Sequence, residues 1–248
     1  MKKSFLTTLL LVSVLAFSTA QDIHFGFQMS PSWSWMSTNY VKLNGSGSNL
    51  GLKLGVIAEN RFSQSYSLST GIGFHFNGGG ALLTDLPSAG IWQNSDFTEK
   101  ALRVTDTIAK DARFRYKLTY IEIPIGLKLR TPESGDHMRY YVEPGLVLGI
   151  RSSATGTISG TNSAFDQTDV NIGKDAASLN LSWGIGAGAE YIVSNNFAVV
   201  IGLHYQNGFI AQNANAGTLI DAPNGTTRSL KDVSATSNNF TLRLGVMF

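Results

Sequence analysis

Beyond the first twenty or so residues the chain alternates apolar and polar positions with a period of two. Eight stretches carry the pattern: residues 23–30, 50–60, 66–76, 115–130, 138–151, 179–191, 197–206 and 239–248. Period two is the signature of a strand whose two faces meet different surroundings. Most of these stretches reach the 9–11 residues that a tilted strand needs to cross a bilayer. An even number of such strands predicts an all-β fold: an eight-stranded antiparallel up-and-down transmembrane β-barrel with a closed lumen. Alternation alone also fits a soluble lipocalin-like barrel with its apolar face inward. The contents of the two faces decide between them.

One face holds Phe25, Phe27, Leu54, Val56, Ile72, Phe74, Ile123, Ile125, Leu127, Leu146, Leu148, Ile185, Ile201 and Leu244 among others. The opposite face holds thirteen glycines, from Gly26 to Gly245, and the charged residues Lys53, Glu122, Lys128, Arg139, Glu143, Glu190 and Arg243. Glycine weakens a strand and gains nothing on an open surface. Inside an eight-stranded barrel, where side chains just fill the space, small residues make room for large ones from neighbouring strands. A Lys or Arg turned to lipid at mid-depth costs roughly 2–4 kcal/mol. The charges are therefore predicted to point inward as a mixed-sign network. The connections alternate as well. Those near 31–49, 77–113, 152–177 and 210–238 are long, and those near 61–65, 131–137 and 193–196 are short. Long outer loops, short periplasmic turns and both termini in the periplasm would produce this order.

The chain opens with Lys2 and Lys3, an apolar run from Phe5 to Phe17, and small residues at Ser18 and Ala20. This reads as a signal peptide over 1–20, leaving residues 21–248 as the barrel domain. Without Lys2 and Lys3, 17 basic and 17 acidic residues remain. That balance argues against nucleic acid as a partner. The absence of Cys excludes a disulfide scaffold and Cys-based metal sites. Trp33, Trp35, Tyr66, Tyr116, Tyr140, Tyr191, Tyr205 and Phe248 sit near strand ends, as interface girdles do. The last strand alternates and ends on Phe248, a pattern resembling the signal read by the bacterial barrel-assembly machinery, which is thus an expected partner.

The run Tyr120-Ile121-Glu122-Ile123-Pro124-Ile125-Gly126-Leu127-Lys128 resembles the fourth-strand signature of the PorT-like outer-membrane β-barrel family of Bacteroidota. Tyr141-Val142-Glu143-Pro144-Gly145 resembles the strand that follows it. The resemblance implies a small outer-membrane barrel and, through at least one member of the family, a link to protein-secretion subunits. Pro124 and Pro144 lack ladder donors and predict local strand irregularities.

Candidate chemistry is sparse. His24, His75 and His204 fall on the inward face, and no Ser/His/Asp spacing stands out. They are expected to be hydrogen-bonding lumen residues. Asp136-His137 is an isolated pair in a turn, so no metal site is expected. The glycines follow strand spacing, so no phosphate-cradling loop and no cofactor are expected. Arg113, Arg115 and Lys117 alternate just above the predicted membrane edge, a placement that fits either contact with lipopolysaccharide phosphates or a solvated strand extension. The expected function is a non-enzymatic structural or interaction barrel acting through long extracellular loops. The alternatives are an accessory of a secretion or transport system and a lipid-A-modifying enzyme.

Overall fold

A computed structural model describes residues 22–39, 43–85, 89–90, 107–108, 111–135, 137–160, 167–194, 196–212, 218–221, 226–229 and 234–248. The stretch read as a signal peptide, 1–20, and Asp136 lie outside them. Eight long strands form the body: β1 (Asp22–Thr38), β2 (Ser48–Arg61), β3 (Tyr66–Thr84), β4 (Arg113–Arg130), β5 (Met138–Ser159), β6 (Leu179–Ser194), β7 (Phe197–Gly208) and β8 (Ala235–Met247). Each pairs antiparallel with the next. β8 pairs with β1, from Gly26 opposite Met247 to Thr38 opposite Ala235, and closes the barrel without a free edge.

Several strands run further toward the long loops than their alternating stretches predict. β1 continues to Thr38, β3 to Thr84 and β5 to Ser159, so the first parts of 31–49, 77–113 and 152–177 are strand rather than loop. Short strands Leu43–Gly45 and Gln167–Asn171 pair with the far ends of β3 and β5. A separate small sheet joins Ala89–Gly90 and Thr107–Ile108, from the β3–β4 connection, to Thr218–Asp221 and Thr226–Ser229, from the β7–β8 connection.

In the lower part of the barrel, toward the short turns, the apolar face points out. Phe25 is 57% exposed, Ile201 52% and Leu203 63%, while Glu59, Ser67, Lys128 and Glu190 are buried inside. Water would not tolerate so continuous an exposed apolar belt on a monomer. Two aromatic groups bracket it. Phe27 and Phe197 pack on Phe248 at the short-turn end, and Trp35, Tyr205 and Phe240 pack together toward the other end.

Above the belt the order inverts. Met36, Leu82, Phe114, Tyr116, Leu118, Tyr120, Ala154 and Ile158 point inward and form an apolar core. Tyr116 belongs to this core and is buried, so it is not part of a girdle as its place in the sequence predicted. Two extra residues mark the transition. The β3–β4 register shifts between His75 and Gly78, with Asn77 at φ 57°, and the β4–β5 register shifts at the level of Thr119 and Tyr120. Such bulges re-aim the residues that follow them.

Both prolines sit where pairing lapses. β3–β4 pairing runs from Thr70–Ile125 to Gly73–Glu122 with no partners for Ile123 and Pro124 between. β4–β5 pairing likewise skips from Gly126–Gly145 to Leu129–Val142, past Pro144. The Thr70 hydroxyl donates to the Pro124 carbonyl at 3.0 Å.

Candidate functional site

Three polar layers fill the lower barrel. Nearest the short turns, Glu59 of β2 accepts hydrogen bonds from Lys128 and Arg130 of β4. Glu190 of β6 accepts from the same two cations, Lys128 at 2.8 Å and Arg130 Nε at 2.9 Å. Arg130 also donates to Ser67 Oγ at 2.7 Å, and the Lys128 ammonium lies 4.6 Å from the centre of the Tyr141 ring. Two cations and two carboxylates, all with side chains at most 2% exposed, thus neutralise one another across three strands. Removing one member would leave an uncompensated buried charge.

In the middle layer Glu143 accepts from Arg243 at 2.6 Å and from Ser69 at 2.6 Å. Tyr141 lies 3.4 Å from His204 Nε2. Glycines create the room: a Cβ on Gly188 would fall 2.8 Å from the Tyr141 hydroxyl, and one on Gly186 would overlap the His204 ring.

The upper layer centres on Glu122, which accepts from Lys53 at 2.8 Å and faces His75 Nδ1 at 3.1 Å. The other ring nitrogen of His75 faces Ser32 Oγ at 3.1 Å and Ser34 Oγ at 3.4 Å. Lys53 also donates to Gln206 at 2.7 Å. Ser32, His75 and Glu122 therefore stand in the order of a nucleophile, base and orienting carboxylate. Ser32 is fully buried and His75 is 3% exposed, beneath the apolar core and above the other two ion layers. The sequence offered no spacing that would link these three residues, because they come from three strands.

Of the seven residues placed in the lumen network by parity, Lys53, Glu122, Lys128, Glu143, Glu190 and Arg243 stand in these layers. Arg139 does not. It lies at the short-turn mouth, 28% exposed, and pairs with Glu133 at 3.1 Å, because the β4–β5 turn brings Glu133 up beside it. Glu59, Arg130, Ser67 and Ser69 were missed as network members. Glu59 shares parity with Lys53 and Arg130 with Lys128, so the signal was present. His24 faces Arg61 at 3.1 Å beside a cavity of about 650 Å³ that opens between the short turns. Among the described residues no group of three His, Asp or Glu is placed to hold a metal ion.

Outside the upper core, Arg113, Arg115 and Lys117 alternate with the buried Phe114, Tyr116 and Leu118, and so face outward. Lys117 pairs with Asp169 at 2.7 Å. Burial pushes the Tyr116 phenol well above its ordinary range, so it stays neutral within the core.

Fold comparison finds Neisserial surface protein A, 12% identical, covering 90% of this chain and 95% of that one, with a TM-score of 0.41. It also finds Ail, the attachment invasion locus protein of Yersinia pestis, 13% identical over 91% and 98%, with a TM-score of 0.37. A major outer membrane protein from Thermus thermophilus is 17% identical over 91% and 98%, with a TM-score of 0.45. No curated protein sequence matches. The family profile described as "Outer membrane protein beta-barrel domain" matches residues 19–211. The chain accordingly belongs to this family of barrels, and its place is the bacterial outer membrane.

Proposed function

We propose that this protein is a non-enzymatic integral outer-membrane barrel that acts as a structural or interaction protein through its extracellular half. The observation that carries this reading is the double closure of the lumen. Ion layers fill its lower part and an apolar core fills its upper part, which leaves no path for a solute among the described residues. What remains for contact is the outside: the strand extensions, the small sheet and the loops. In this reading the long loops face outward, both termini are periplasmic and residues 1–20 are removed as a signal peptide. The strand ending in Phe248 is handed to the barrel-assembly machinery.

The test is to reconstitute the full chain in planar bilayers and to isolate it from its native membrane in mild detergent. A silent bilayer and lipid A of unchanged mass are expected. Steady single-channel steps would overturn the closed lumen. Stoichiometric secretion subunits in the isolate would favour the accessory role that the PorT-like resemblance implies.

The Ser32–His75–Glu122 geometry favours a second reading, catalysis on lipid A or another ester. Burial of Ser32 opposes it. A fluorophosphonate probe is expected to leave the folded protein unlabelled, and labelling lost in Ser32→Ala would establish the catalytic reading instead.

A further inference from the structure

The geometry points to a binding site for a phosphorylated glycolipid headgroup on the outward face of β4 and β5, just above the apolar belt. This rests on the orientation taken under Proposed function.

Three observations build the site. First, the cations form a ladder with hydroxyl partners. Lys117 stands opposite Thr155, Arg115 opposite Thr157 and Arg113 opposite Ser159 in the β4–β5 register. The alternating burial of Ala154, Gly156 and Ile158 turns Thr155, Thr157 and Ser159 to the same outer side. Each rung thus offers a charge and a hydroxyl, which is the donor set that phosphate oxygens accept.

Second, the upper two rungs are uncommitted. Lys117 is neutralised by Asp169. Arg113 and Arg115 form no ion pair among the described residues, and a guanidinium suits bidentate contact with phosphate. Pairing one rung and leaving two open gives the ladder a net positive charge.

Third, the depth fits a lipid headgroup. Ile121 and Ile150, paired across β4 and β5, are the last apolar residues on this outer face before Thr119 and Ser153. At roughly 3.3 Å per residue, Lys117 stands about 13 Å further along the strand and Arg113 about 26 Å. A strand tilt near 40° shortens these to roughly 10 and 20 Å of height. Lys117 thus stands just beyond a headgroup zone roughly 5–8 Å deep, and Arg115 and Arg113 stand higher, at the level of phosphorylated sugars that a glycolipid extends past that zone. The aliphatic side chains directly below would meet its acyl chains. A soluble anion would have no use for that apolar footing.

The experiment uses the purified full chain in mild detergent and native mass spectrometry. The probes are bisphosphorylated lipid A, the same glycolipid stripped of phosphate, and phosphatidylglycerol. Wild-type protein is expected to retain the bisphosphorylated form at least tenfold better than either other lipid. Arg113→Gln with Arg115→Gln should reduce that preference about tenfold, while heat-modifiable gel mobility shows the barrel still folded. A preference unchanged in the double variant overturns the site, as does equal retention of all three lipids. Displacement by millimolar inorganic phosphate would assign the rungs to free anions and overturn the glycolipid. A change in the mass of the bound lipid A would instead count against the non-enzymatic reading and leave the site standing.

Discussion

Strand β4 contains two proteins' worth of rules in eighteen residues. From Ile121 downward its outward side chains are Ile121, Ile123, Ile125, Leu127 and Leu129, and its inward ones include Glu122, Lys128 and Arg130. Above Ile121 the inward side chains are Phe114, Tyr116, Leu118 and Tyr120, and the outward ones include Arg113, Arg115 and Lys117. The backbone parity never changes; the chemistry assigned to each parity does. The lower half obeys lipid, where the outside must be apolar and charges must pair within. The upper half obeys water, where apolar side chains gather inside. The phase change between Tyr120 and Ile121 therefore marks the upper membrane boundary on this strand. The neighbours reach the same inversion by inserting a residue, near Asn77 in β3 and near Ser152 in β5.

The comparison breaks most violently in the lower half. Lys128→Met leaves Glu59 and Glu190 sharing Arg130 alone in a closed interior. Breaking a buried pair from one side costs about 3–5 kcal/mol. We expect a lower urea midpoint for folding into lipid vesicles, or failure to fold. A wild-type midpoint would mean that the four ions carry no net interaction. Phe114→Ala tests the upper half, where removing a buried aromatic costs about 3–5 kcal/mol. Here the loss should stay local: limited proteolysis should open the upper strands while heat-modifiable mobility of the membrane portion persists. Simultaneous loss of both would show that the two halves fold as one unit.

The outer surface gives the next effect. Ile125→Arg puts a cation toward lipid on the strand whose inward neighbours are already charged. The expected cost is about 2–4 kcal/mol near mid-depth. Moving the same change to Thr119, above the belt, should cost little. Equal penalties at the two positions would remove the boundary drawn between Tyr120 and Ile121.

Much of this was legible before the fold was known. Charged and glycine-rich parity on one side and aliphatic parity on the other fixed which way each membrane strand faces. The inversion in β4 was also written in the sequence, since Phe114, Tyr116 and Leu118 share the parity of Glu122 rather than of Ile123. Tyr116 departs from the girdle expectation because the rule that assigns apolar side chains to the outside ends at the membrane edge. In β3 and β5 the bulges hide the same inversion, because an inserted residue restores apparent phase. Partner choice within the lumen was less accessible. Parity says that Glu59, Lys128, Arg130 and Glu190 point inward, but which of them meet depends on the stagger between β2, β4 and β6. Arg139 shows the converse: its parity was right and its height was wrong, so it joined Glu133 at the mouth. The Ser32–His75–Glu122 arrangement depends on three strands and has no linear trace.

The smallest expected effect concerns the seam of β4 itself. Pro124 interrupts its pairing with β3, and Pro144 of β5 interrupts the pairing on its other edge three to four residues away. Pro144→Ala supplies the missing N–H. A recovered hydrogen bond contributes about 1 kcal/mol. The same change frees the unfolded chain, which costs roughly 0.4–1 kcal/mol. These nearly cancel, so the folding midpoint should move by less than about 1 kcal/mol. Hydrogen exchange separates the two contributions, because chain entropy leaves no mark on a native amide. If proline alone unpairs the seam, the new amide of residue 144 should be as protected as that of Gly145. Rapid exchange at 144 would mean that strand curvature, not the missing donor, holds β4 and β5 apart there. The proline would then be a consequence of the bend rather than its cause.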